Sequence, residues 1–226
     1  VTATRCSGLI RYFGPGGVEN GREWFDMLPH VGGGRTLRAL CEMDELALTR
    51  DVTMALDADS RPLDAFVRIT QAGVVRGATL FTCAPGELVC EGHTRELGRI
   101  VQRRALDVPL GYLGLHPLVG DALVTLCRGV DRPGEFVTVH GLTNSHSPNG
   151  ELGLLAVPTH IDVAWLGPER ITVEAGTFDA QHYALRWQPH WPPADIWVHG
   201  PQALFLRLTW SLIDARYELA ELRPGA

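Results

Sequence analysis

Ile171-Thr172-Val173-Glu174-Ala175-Gly176 is a short β-branched run closed by a small turn, and it opens a segment, 170–222, that alternates in side-chain character nearly throughout. Successive residues of a strand point to opposite faces, so a period of two marks a sheet with unlike faces. Gln181, Tyr183, Leu185 and Trp187 share one face, with His182, Ala184 and Arg186 on the other. Asp195, Trp197 and His199 then oppose Ile196 and Val198. Leu204, Leu206, Leu208 and Trp210 form an apolar row opposite Ala203, Phe205, Arg207 and Thr209. Tyr217-Glu218-Leu219-Ala220 makes a last strand. The expectation is a succession of antiparallel strands around a partly polar interior in which aromatic and ionisable groups mix.

The same device recurs toward the N terminus. Thr4–Phe13, Arg22–His30, Arg35–Met43, Leu48–Leu56, Leu63–Thr70, Val75–Cys83, Glu87–His93 and Gly98–Ala105 read as strands joined by turn residues. Arg50, Val52 and Met54 fall on one face, as do Leu63, Ala65, Val67 and Ile69. Gly32-Gly33-Gly34 lacks the Gly-Lys-Ser/Thr ending of a phosphate loop and is a hairpin turn. Asp57 and Asp59 have the spacing of calcium ligands, but no glycine and terminal glutamate complete such a loop, so they too mark a turn. Leu106–Val130 breaks the ladder and reads as a loop leading into a short helix, a lid over one barrel mouth that carries His116 and Asp121. The spacing predicts an all-β fold, an antiparallel meander of about eleven strands closing into a barrel or strongly curved sheet, with one short inserted helix. A single β-barrel-like domain over 1–226 is expected.

Composition narrows the function classes. Hydrophobic residues make up 45% and charged residues 20%, as expected for a globular chain with one core. All 20 basic residues are arginine, so Schiff-base chemistry and a lysine base are ruled out. The net charge of −6, with no arginine stripe, removes the electrostatic footprint of a nucleic-acid binder. No apolar run reaches the roughly 18 residues of a membrane helix, so no membrane partner is expected. The five cysteines match no zinc spacing; Cys83 and Cys90 could face each other across a turn, but buried free thiols are the reading preferred here. With no leader pattern in 1–10, a cytoplasmic protein is expected.

Seven of the nine histidines lie in the second half, with Asp121, Asp162 and Asp195 among them. One reading is a metal site, since His160 and Asp162, or Asp195 and His199, share a strand face. The preferred reading is metal-free acid–base work in which a histidine moves a proton and an arginine steadies negative charge. His116 and His146, each beside a proline in an irregular segment, are the candidate acid or base. Asp121 is the orienting carboxylate, and Arg68 and Arg186 are the anion stabilisers. Arg50, Asn149, His182, Trp191 and Trp197 are candidate ligand contacts. On a bland reading, the arginines are outward ion pairs with Glu42, Asp51 or Asp64, and the remaining histidines are ordinary surface residues. No Gly-x-Ser-x-Gly elbow, Walker sequence or dinucleotide fingerprint occurs, so no cofactor is expected.

The closing pattern, Ile171 to Asp179 with its Ala-Gly-Thr-Phe corner, then Asp195-Ile196-Trp197-Val198, Leu204–Trp210 and Tyr217-Glu218-Leu219, resembles bacterial antiparallel-barrel proteins of the domain-of-unknown-function 3108 type. The resemblance covers the last quarter of the chain and implies a barrel-like β fold; it brings no activity or site residues. The residues themselves suggest a cofactor-independent lyase, isomerase or dehydratase acting on a small hydrophobic or aromatic molecule inside the barrel. Two alternatives stand beside it: a lipocalin-like carrier of an apolar ligand, and a His/Asp metal-dependent enzyme. A homodimer through an exposed strand or the Trp191 region fits each of them.

Overall fold

The computed structural model describes residues 5–151 and 153–225. Thr4, placed by the sequence in the first strand, lies outside them. Fifteen strands form one sheet in the order β8-β7-β6-β5-β4-β3-β2-β1-β15-β14-β13-β12-β11-β10-β9. Eight strands make up the first half: β1 Cys6–Phe13, β2 Glu19–Pro29, β3 Arg35–Met43, β4 Leu48–Leu56, β5 Pro62–Gln71, β6 Val74–Ala84, β7 Glu87–Thr94 and β8 Gly98–Ala105. The second half holds β9 Tyr112–Gly114, β10 Phe136–Thr143, β11 Val157–Val173, β12 Gly176–Arg186, β13 Ala194–His199, β14 Leu204–Trp210 and β15 Ala215–Pro224. Strands β1 to β8 form one antiparallel meander and β10 to β15 another, and the two join where β1 pairs antiparallel with β15. The expected all-β curved sheet with a helical insert is observed. The strand number exceeds the expected eleven or so, in part because β9 is too short for alternation to show, and it pairs parallel with β10. Conversely, the run at Ile171 does not open a strand of its own but ends the single long β11, which a register shift between Trp165 and Gly167 bends without interrupting.

The sheet curls with its inner face apolar. In β3 and β4, the inward residues are Arg35, Leu37, Ala39 and Cys41, then Leu48, Arg50, Val52, Met54 and Leu56. Two bulges change the expected facing. Between Ala55 and Leu56 the register shifts so that Leu56 meets Pro62, which buries Pro62 and turns Leu63 outward at 46% exposure. On β14 the register skips Leu206, because Trp197 pairs with Arg207 and Val198 with Phe205. Phe205 and Leu206 are therefore both fully buried, where strict alternation had put Phe205 on the opposite face.

The ends of the sheet, β8 and β9, do not pair, so no backbone ladder closes a barrel. Side chains lace the gap. The Ala156 N–H donates to Gln102 Oε1 at 2.8 Å, and Arg104 Nε donates to the Ala156 carbonyl at 3.2 Å, which holds the segment entering β11 along β8. Leu154 packs where Gly77 carries no Cβ. Inside the curl sit two short helices, α1 Leu118–Asp121 and α2 Val124–Arg128, in the insert predicted to carry one. Among the described residues no helix is long and apolar enough to cross a membrane. The five cysteines are free thiols. Cys90 stands opposite Phe81 and Cys83 opposite Leu88, so the two do not face each other across their turn.

Candidate ligand-binding site

A cavity lies between the insert, the loop after β10, and the inner faces of β1, β4, β14 and β15. One wall is aromatic. Trp210 contacts Trp187 at 5.0 Å and Trp191 at 5.5 Å between ring centroids, and its Nε1 donates to the Pro192 carbonyl at 2.8 Å. Tyr12 and Tyr217, cross-strand neighbours on β1 and β15, meet edge to face at 5.0 Å. The cavity volume is about 70 Å³, and the space continues through an open mouth into solvent.

The opposite wall holds ionisable groups, Arg50 placed by strand alternation and Asp121 and His116 by the insert. Arg50 is 2% exposed, and its NH2 group donates to the carbonyls of Asn149 at 3.3 Å and Gly150 at 2.5 Å. Its Nε has no partner, and among the described residues no carboxylate lies within 4.0 Å of the guanidinium. Asp121, on α1, accepts a hydrogen bond from Tyr112 Oη at 2.7 Å. Burial pushes the Asp121 carboxyl up to about 7, with the Glu23 charge adding to the rise, while the Tyr112 bond and the Arg50 charge oppose it.

Glu23, fully buried beneath the insert, accepts from the Leu118 and Val119 amides at 2.7 and 3.0 Å and from Tyr12 Oη at 2.9 Å. Burial raises its carboxyl above the ordinary range, and those three donors limit the rise. This carboxylate fastens the start of α1 to the sheet.

His116 lies on the cavity wall with φ at +70°, a left-handed conformation unusual for a residue with a side chain. Its ring lies on Gly150, where a Cβ would overlap it. Solvent reaches part of the residue but not Nε2, which has no hydrogen-bond partner. Burial, reinforced by the Arg50 charge, lowers its imidazolium to about 3, so the ring is neutral at physiological pH.

The structure brings together His116, Asp121, His146, Arg50, Asn149 and Trp191 around this cavity. It leaves the other four candidates outside. Arg68 is exposed and lies 5.3 Å over the Phe66 ring. Arg186 pairs with Asp162 at 3.1 Å and stacks 4.4 Å over Phe136. His182 stacks on Trp197 at 4.3 Å and bonds Asp195 at 2.8 Å, while Trp197 Nε1 donates to Glu169 at 2.7 Å. These side chains belong to the opposite face of their strands from the buried rows, which explains why arginine, histidine and tryptophan alone did not distinguish inside from outside. Asp121 is held by Tyr112, and His146 Nε2 donates to the Pro158 carbonyl at 3.0 Å; neither forms the expected His–Asp pair. Among the described residues no three metal-ligating side chains converge.

Sequence reasoning missed Glu23, Tyr12, Tyr112, Tyr217, Trp187 and Trp210. For Glu23 a signal existed: it shares the inward register with Gly21, Phe25 and Met27, an acid in an otherwise apolar row.

No family model and no curated protein matches this chain. Among solved structures, it is similar to a β-barrel-like protein of domain of unknown function DUF1849 from Brucella abortus, at 10% identity and a TM-score of 0.63, with 100% of each chain covered. It is also similar to a DUF1089 family protein from Pseudomonas aeruginosa, at 13% identity and a TM-score of 0.50, with 84% of this chain and 90% of that one covered. At such identities the likeness concerns the fold, and the class it defines is the barrel-like curled β-sheet.

Proposed function

We propose that the protein is a binder of a small apolar or aromatic molecule, held in the cavity between the tryptophan wall and Arg50. The observation that carries this reading is the aromatic wall itself: Trp187, Trp191, Trp210, Tyr12 and Tyr217 converge on space that remains open to solvent. Burying aromatic surface supplies affinity at roughly 25 cal/mol per Å² of apolar area, without demanding directional chemistry. A carrier fits better than the histidine-based enzyme because His116 is too weak a base near neutral pH and neither cavity histidine hydrogen-bonds to Asp121.

Titration with the neutral fluorophore N-phenyl-1-naphthylamine tests this. One saturable site per chain with energy transfer from tryptophan is expected, weakened about tenfold or more by W210A, in line with the loss of a large apolar contact. Absence of saturable binding overturns the reading.

A second reading is favoured by one observation, the Asp121 carboxyl near 7 on the cavity wall, the property of a group able to exchange a proton at neutral pH. On that reading Asp121, and not a histidine, moves the proton. Chemical change of a bound ligand by the wild-type protein, lost in D121N while binding persists, would decide for it.

A further inference from the structure

Resting on the binding reading, we propose that Arg50 makes the cavity selective for apolar molecules that end in a carboxylate. A guanidinium removed from water requires a compensating charge or a complete set of acceptors. Arg50 has neither, since two backbone carbonyls take its NH2 group and its Nε is orphaned.

Of the two other buried arginines, one is settled by a carboxylate and several carbonyls, and neither lines the cavity. Arg128 pairs with Asp131 at 2.6 Å and reaches the carbonyls of Asp131, Arg132 and Glu135. Arg35 bonds Ser60 and the Gln202 carbonyl and takes no part in the cavity wall. Arg50 alone of the three lines the cavity, opposite aromatic surface suited to the apolar body of a ligand.

A single negative charge fits better than two. Asp121 lines the same cavity and carries a negative charge once ionised, so repulsion grows with the number of charges a ligand brings. With NH2 donating to two carbonyls and Nε buried, NH1 is the group left to face a monoanionic carboxylate, whereas a phosphate dianion would meet stronger repulsion from ionised Asp121.

The test is displacement of bound N-phenyl-1-naphthylamine by three molecules that share a ring system: 1-naphthaleneacetate, 1-naphthaleneacetamide and 1-naphthyl phosphate. The acid is expected to displace the fluorophore at a concentration at least tenfold below that of the amide or the phosphate. R50Q brings the ratio of acid to amide to about one. Because Arg50 also holds the 149–150 backbone, circular dichroism of R50Q is recorded alongside, and the comparison on the unmutated protein stands whatever that variant does. If the fluorophore itself fails to bind, the binding reading falls. If it binds and the acid displaces it no better than the amide, or the phosphate displaces it best, binding survives and the carboxylate assignment is overturned.

Discussion

Asp121 and His116 show how a residue's surroundings reverse its ordinary chemistry. Burial keeps Asp121 protonated up to about 7 and keeps His116 neutral down to about 3. The consequences for stability have opposite signs. Between about 4 and 7 the folded chain holds a proton on Asp121 that the unfolded chain has released, so this group makes stability fall as pH rises. Between about 3 and 6.5 the unfolded chain binds a proton on His116 that the folded chain does not, so that group makes stability rise with pH. In the wild-type protein the two slopes offset each other from about pH 4 to 6.5. D121N is expected to leave the histidine slope exposed, with stability climbing toward pH 6.5 by up to about 1.4 kcal/mol per pH unit. H116Q is expected to slope the other way up to about pH 7. Urea midpoints measured across pH 4 to 8 check both, and parallel profiles for the two variants would refute the assignment.

Asp121 also bears on ligand affinity. Asp121 is faced by Tyr112 from β9, Glu23 from β2 and Arg50 from β4, with Tyr217 of β15 in its field. Protonation of Asp121 removes a negative charge from the pocket, so 1-naphthaleneacetate is expected to bind several-fold more tightly at pH 6 than at pH 8. That gain should be absent in D121N, by the same displacement assay.

At the level of elements, the insert owes its position to Glu23. Helix α1 is a single turn, too short to hold itself together in isolation. Two of its first amides and Tyr12 end on the Glu23 carboxylate. E23A leaves these donors buried and unsatisfied, a cost on the order of 3 kcal/mol or more. A lower melting temperature and faster proteolysis within 106–130 are expected, and E23Q should recover part of the loss because one carboxamide oxygen still accepts. Unchanged cleavage of that segment in E23A would show that the apolar contacts of the insert hold it alone. Alternation made β3, β4 and β13 legible in the sequence. It failed at Leu63 and Phe205, because a bulge shifts facing by one residue and leaves no compositional mark.

In the whole molecule, two meanders depend on a single pairing between the ends of the chain, β1 with β15. Every other antiparallel pairing links neighbours in sequence; this one closes the longest loop, and its entropy is recovered only once both halves are in place. Deleting 215–226 is expected to abolish cooperative urea unfolding, since it exposes the buried Ile10 and Leu208 along a new central edge. A truncated chain that still unfolds in one sharp transition would show that the halves are independent.

The sequence by itself determined the all-β class, the order of the strands along the chain and the place of the insert, because turn residues and period-two alternation are local properties. Tertiary structure decided which polar side chains share the cavity. Arg50 and Arg186 sit in similar alternating runs, and only the direction in which the sheet curls buries one and leaves the other paired with Asp162 on the outer face. Tyr12, Glu23, Tyr112, Asp121 and Tyr217 come from opposite ends and the middle of the chain, and no local pattern encodes a meeting brought about by the β1–β15 pairing and the docked insert.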